Sequence, residues 1–187
     1  MRCLLSVLSL LIITGCATTP KAPFDIAQVN RVAIVSLLGD EANVYHLGVT
    51  AFGNQFAKID IEGANLDQHY EAMLEDTLTG TGRFEVVDVT YDRATWIAKD
   101  QDTSGMSMWQ KVYGRPHAQL QPMIKALADE YSLDAVFVLA PLSFYTGAAI
   151  EPEGPAIYKG GQSGKTIWCR VGVFAGLVLA NGKDGHL

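Results

Sequence analysis

RVAIVSLL, residues 31–38, carries an apolar side chain at almost every position. A strand with one wet face alternates apolar and polar residues. A run this continuous in Val, Ile and Leu is expected where a strand is buried on both faces. Gly39 and Asp40 break it. Asn43 to Leu47 and Phe56 to Ile61 (FAKIDI) are further candidate strands, the second alternating Phe56, Lys58, Asp60 against Ala57, Ile59, Ile61.

Downstream the period changes from strand to helix. Leu66, Tyr70, Met73, Leu74 and Leu78 recur on one helical face. Asn65 or Asp67 can cap that helix, and Gly80 and Gly82 can end it, because glycine accepts the left-handed closing turn. RFEVVDV (83–89) reads as a strand and 92–99 as a short helix. A second amphipathic helix is expected over 119–131, with Leu120, Ile124, Leu127, Ala128 and Tyr131 as its stripe. Pro122 confines its own position to the first turn. LDAVFVLAPLSFY (133–145) reads as a central strand, 147–165 as turn-rich, and 166–180 as the last strand. The polar, glycine-containing stretch 100–116, with Met106, Met108, Trp109 and Tyr113, reads as a long loop, long enough to be functional or mobile.

The 187 residues suffice for one domain with a real core. With 49% hydrophobic and 18% charged residues the chain is of the globular class. Its net charge is −6, and it lacks a basic run. That argues against nucleic acid as the main partner, since phosphate binding rests on clustered Lys and Arg.

The first sixteen residues are MRCLLSVLSLLIITGC. One charge, Arg2, precedes an apolar run from Leu4 to Ile13. That run is short for a membrane span and suits the core of a secretory signal. Its end, IITGC, resembles the lipobox of bacterial lipoproteins. The resemblance implies cleavage between Gly15 and Cys16, a diacylglycerol on the Cys16 thiol, and acylation of the new amino group. Several chains on one residue anchor stably, whereas one alone is marginal. Ala17 rather than Asp comes next, which in the sorting rule of enteric-type bacteria implies the outer membrane, with the domain facing the periplasm. The expected organisation is a signal peptide at 1–15, a lipidated tether at 16–29 rich in Pro and Thr, and a domain at 30–187. Cys3 leaves with the signal and Cys16 carries lipid, so Cys169 alone stays a thiol and no internal disulfide is expected. Set in the apolar run TIWCRVGVF, it is expected to be buried and inert, with a reactive or intermolecular thiol as the alternative.

GGQSGKT (160–166) raises the question of a nucleotide. The P-loop G-x-x-x-x-G-K-[ST] requires glycine at position 159, where Lys159 stands. It also requires a helix after the loop to attract the anion. The run on its carboxyl side, IWCRVGVFAGLVLA, is instead strand-forming. The envelope compartment implied by the lipobox moreover lacks an ATP pool. No nucleotide is expected, and the stretch reads as a connection into a strand.

Other signals of chemistry are weak. His46, His69, His117 and His186 form no i, i+4 pair and no H-E-x-x-H occurs, so no metal and no cofactor are expected. Asp60 with Glu62, and Glu71 with Glu75 and Asp76, could do acid–base work but read better as solvated faces. Trp96, Trp109, Tyr113 and Tyr145 could line a groove or pack a core. No catalytic residue is expected.

The element order and three junctions resemble a group of bacterial envelope proteins. NRVAIVSLLGD is similar to their opening strand. YEAMLEDTLTGTGRFEVVDV is similar to their helix leading into a G-R-F-x-V-V strand. IKALADEYSLDAVFVLAPL is similar to their helix leading into a central strand, with Ala140-Pro141 where glycine is common. VGVFAGLVLANGKDGHL is similar to their late strand and its turn. The group comprises curli-assembly lipoproteins, lipoprotein activators of penicillin-binding proteins and the amino-terminal domain of the Tol propeller protein. The resemblance implies a single α/β (α+β) domain, a mixed sheet of about five strands flanked by two or three helices. It also implies recognition or assembly with an envelope protein or polymer partner, not catalysis. The membrane-spanning hairpins of the curli pore are not evident. An assembly module should expose an apolar patch or a sheet edge. The rivals are a hydrolase with a dispersed polar cleft and a carrier with an enclosed apolar cavity.

Overall fold

The computed structural model describes residues 25–48, 54–102, 104, 117–141, 144–145, 150–151, 154–162 and 165–185. Among the described residues nine strands run in chain order: β1 (Arg31–Ser36), β2 (Glu41–Leu47), β3 (Gln55–Asp60), β4 (Glu85–Val86), β5 (Ala135–Pro141), β6 (Phe144–Tyr145), β7 (Ile150–Glu151), β8 (Gly154–Gln162) and β9 (Lys165–Asn181). The helices are α1 (Leu66–Gly80), α2 (Arg93–Gln101) and α3 (Gln121–Tyr131). Seven strands form one mixed sheet in the order β3-β2-β8-β9-β5-β1-β4, and β6 pairs with β7 in a separate ribbon. The class is the expected α/β, but the sheet has seven strands rather than about five.

β1 is buried on both faces. Val32 and Ile34 meet Ala135 and Phe137 in one core, with Leu74 and Leu78 of α1 packed on it. Ala33 and Val35 meet Val136 and Val138 in the other, beneath Trp96 of α2 and Leu120, Ile124, Leu127 and Ala128 at α3. Burying each large aliphatic side chain contributes about 1.5–3 kcal/mol. The apolar stripe read over 119–131 therefore sets the second layer. A 3-10 turn at Ala118–Leu120 precedes α3, and Pro122 lies in its first turn.

Residues 25–29, expected to end the tether, belong to the fold. Asp25 caps the 3-10 turn Ile26–Gln28, and Val29 is buried in the core. The strand expected over 83–89 shrinks to two residues, because β4 pairs with β1 only at Arg31 and Val32. α1 ends at Gly80, and Gly82 takes a left-handed φ of 66°. Asn65 occupies the cap position in a left-handed conformation, and its side chain makes no capping bond.

β9 is 17 residues long and belongs to two neighbourhoods. From Ala175 to Asn181 it pairs antiparallel with β5, inside the layered core. From Lys165 to Phe174 it pairs with β8, which pairs parallel with β2, which pairs antiparallel with β3. The turn-rich reading of 147–165 is thus corrected: 154–162 is a strand. Of GGQSGKT, residues 160–162 end β8 and 165–166 begin β9, with an irregularity at Gly160/Gly161, and Ser163 and Gly164 lie outside the described residues. Neither apolar core includes a residue of β2, β3 or β8. These three strands and the first half of β9 form a wing beyond the helical layers.

Candidate functional site

Open α/β sheets commonly hold ligands at the carboxyl ends of their strands, where the strand order reverses. Here that place is the end of β1 beside β5, with β4 on the opposite side of β1. β4 stops early, so Ser36 has no strand on that side, and polar side chains take its place. The Ser36 N–H donates to Tyr91 Oη and to Glu71 Oε1, both at 3.0 Å. Tyr91 donates to Glu71 Oε1 at 2.5 Å. Arg93 donates from Nε to the Ser36 carbonyl at 3.3 Å, and from Nη2 to both Glu71 oxygens at 3.0 and 3.1 Å. Asp67, 3% exposed, accepts the N–H groups of Leu38 at 2.9 Å and Gly39 at 3.1 Å. Asp67 is therefore no helix cap: it closes the backbone donors beyond the end of β1.

Burial, and then the hydrogen bond and charge of Glu71, push the Tyr91 hydroxyl well above its ordinary pKa. Tyr91 stays protonated and is no base. Burial disfavours the Arg93 charge, and Tyr91, Glu71 and Asp67 more than restore it. The cluster is an edge closure. Among the described residues Ser36 Oγ is the one buried side-chain polar atom without a hydrogen-bond partner.

The wing is different in kind, because it shows side chains to solvent on both faces. Strand register places Phe56, Tyr45 and Tyr158 in one row across β3, β2 and β8. Tyr45 meets Phe56 edge-on at 5.0 Å between ring centroids and stacks on Tyr158 at 5.3 Å. Phe174 meets Tyr158 at 5.7 Å, leaning across Gly172. Trp168 lies over Gly160, directly opposite in the ladder, with the Arg170 guanidinium 5.8 Å from its ring. Phe56 is 68% exposed and Trp168 42%. On the other face Ala57, Val44, Ile157 and Val171 form an aliphatic row, and Val171 is 77% exposed. Cys169, expected to be buried, is exposed: its run is apolar, but no helix of the described residues seals this half of β9.

Where wing and core meet, Leu38, Tyr70, Met73, Leu74, Leu139, Val173 and Ala175 line a half-open groove of about 210 Å³. It arises because α1 is lightly seated. Tyr70 and Leu74 are only half-buried and Met73 is exposed, although all three belong to the stripe read from sequence.

Gly15 and Cys16, the expected cleavage and lipid sites, lie outside the described residues, as do Met106, Met108, Trp109, Tyr113 and His186. Trp96 is a core residue. His117 meets Asp100 at 2.8 and 3.0 Å, fastening the start of the α3 segment to α2, a pairing the sequence spacing does not reveal. Asp60 Oδ1 accepts the Glu62 backbone N–H in a local turn at 2.8 Å, so the link between these two residues runs through the backbone and not through a pair of carboxylates. Among the described residues no three His, Cys, Asp or Glu side chains are grouped to hold a metal. No described helix is long and apolar enough to cross a membrane. Comparison with protein-family models, curated proteins and solved structures returned no match.

Proposed function

We propose that this chain is a bacterial envelope lipoprotein, held at the outer membrane by lipid on Cys16, whose periplasmic domain is a non-catalytic binding or assembly module. The observation that carries the binding role is the wing, whose row Phe56–Tyr45–Tyr158 ends in Phe56, 68% exposed, with Trp168, 42% exposed, on the same face and Tyr45 and Tyr158 half-buried between them. Exposed aromatic side chains on a sheet face are of the kind that protein partners cover. At the end of β1, on the side where β4 stops, Glu71, Tyr91 and Arg93 are bonded to one another rather than free for acid–base work. The junction groove is smaller than the roughly 300–1,000 Å³ of small-molecule sites, which favours binding over carriage. The lipobox and the resemblance to envelope assembly proteins supply the compartment.

Two measurements test this reading. Labelled palmitate should enter the wild type and not Cys16→Ser. A photo-reactive side chain placed at Phe56 or Trp168 in growing cells should give a discrete envelope adduct, and one at Lys125 on α3 should not. Equal labelling of Cys16→Ser, or identical adduct patterns from all three positions, would refute it.

A further inference from the structure

We infer that β3 is a self-complementary edge through which two copies of this chain pair strand to strand, making one continuous sheet across a two-fold axis. This goes beyond the binding role and needs neither the lipid nor the envelope partner.

β3 ends the sheet, and no described strand lies beyond it. Ile61 donates its N–H to the Asp40 carbonyl. In an antiparallel ladder the bonding direction alternates, so Ile61, Ile59 and Ala57 turn their backbone groups toward β2. Phe56, Lys58 and Asp60 then turn theirs outward. Such an edge is a template for another strand, and a lysine in it usually discourages pairing.

Here the charge pattern selects one register instead. Two-fold antiparallel pairing sets each residue opposite one on the same face. Lys58 opposite Lys58 of the second copy would oppose like charges, which is unfavourable. One step along, Lys58 stands opposite Asp60 of the second copy, twice by symmetry, with Ile59 opposite Ile59 on the axis. In that register the outward backbone groups of residues 58 and 60 bond one another. Asp60 also gains something. Within one copy it sits directly opposite Glu41, and the nearby Lys58 reaches Glu41, at 2.7 Å. The second copy brings a lysine to Asp60 from the open side. On the other face the pairing covers Ile59, which is 41% exposed, and extends the aliphatic row.

Cysteine trapping tests both the pairing and the register. Residues facing each other in a non-hydrogen-bonded pair have Cα atoms about 4.5 Å apart, within disulfide reach. In the full chain carrying Cys3→Ser, Cys16→Ser and Cys169→Ser, Ile59→Cys should yield a thiol-reversible dimer on mild oxidation. Ala57→Cys, Lys58→Cys and the parent should yield at least roughly tenfold less. Adding Lys58→Asp to Ile59→Cys should lower the yield roughly tenfold by opposing acids, and Asp60→Lys in the same chain should restore it. That exchange leaves a lysine directly opposite Glu41, and all of β3 is exposed, so the monomer fold should be preserved. No dimer from Ile59→Cys, equal dimer from Ala57→Cys, Lys58→Cys or the parent, or no rescue by the exchange would overturn the inference.

Discussion

The Trp168 indole fills the space in which a side chain on Gly160 would stand. Glycine is required there by close approach, since an added Cβ would meet the indole ring. Gly160→Ala should therefore lift Trp168 off the sheet. We expect a red shift of the emission component that Trp168→Phe removes, with global stability changed by less than about 1 kcal/mol, because the site lies outside both cores. An unchanged spectrum would contradict this packing.

Tyr91→Phe should lower unfolding stability by about 1–3 kcal/mol, since the lost hydroxyl partners a buried strand end. Ser36→Ala should be neutral or slightly stabilising, because the buried Ser36 Oγ makes no bond. Urea denaturation of the two variants side by side checks the contrast. A large loss in Ser36→Ala would mean that its hydroxyl is engaged.

The Asp134 carboxylate accepts the N–H groups of Arg31 and Asn30, both at 2.9 Å, and these bonds hold it below the usual aspartate range. A carboxyl with a depressed folded pKa stabilises the fold fully above its unfolded value, about 3.9. That contribution fades as pH falls from there through the folded value. The carboxylate is exposed and solvent screens it, so Asp134→Asn should cost under about 1 kcal/mol at pH 7, with the gap to wild type closing below about pH 4. A gap constant from pH 7 to pH 3 would show that the charge is not involved.

Ile124→Ala should cost about 2–5 kcal/mol, as it opens a cavity under α3. Val171→Ala, also in an apolar run, should cost under about 0.5 kcal/mol, because the side chain is 77% exposed. Thermal or chemical denaturation would show the difference. A core-sized loss at Val171 would mean that this face of the wing is covered.

These residues also show what the sequence can and cannot convey. β1, β5, β9 and α3 are legible because their patterns report burial directly: continuous Val and Ile for strands, and Leu120, Ile124, Leu127 for a helical stripe. β8 is not, because Pro155, Gly160 and Gly161 are turn residues by local preference. In the sheet Gly160 instead yields room to Trp168, a long-range demand with no local trace. Cys169 misleads for a related reason. An apolar run shows that a strand prefers cover, not whether any element supplies it. β4 reads as too long because Val87 and Val89 look strand-like, yet after the bond from the Val87 N–H to the Val32 carbonyl the ladder with β1 ends and both side chains pack on the core. Asp67 resembles a cap from its position near a helix start, and only the folded chain brings Leu38 and Gly39 to it. The aromatic row has no local signature either. Tyr45, Phe56, Tyr158 and Phe174 come from four strands, and one register aligns the first three.

The length of β9 has a mechanical consequence. One strand runs from Lys165 into the protein's middle, where seven consecutive residues, 175–181, are laced to β5. A pull along its first half would load that lacing in shear, so the rungs resist together instead of unzipping singly.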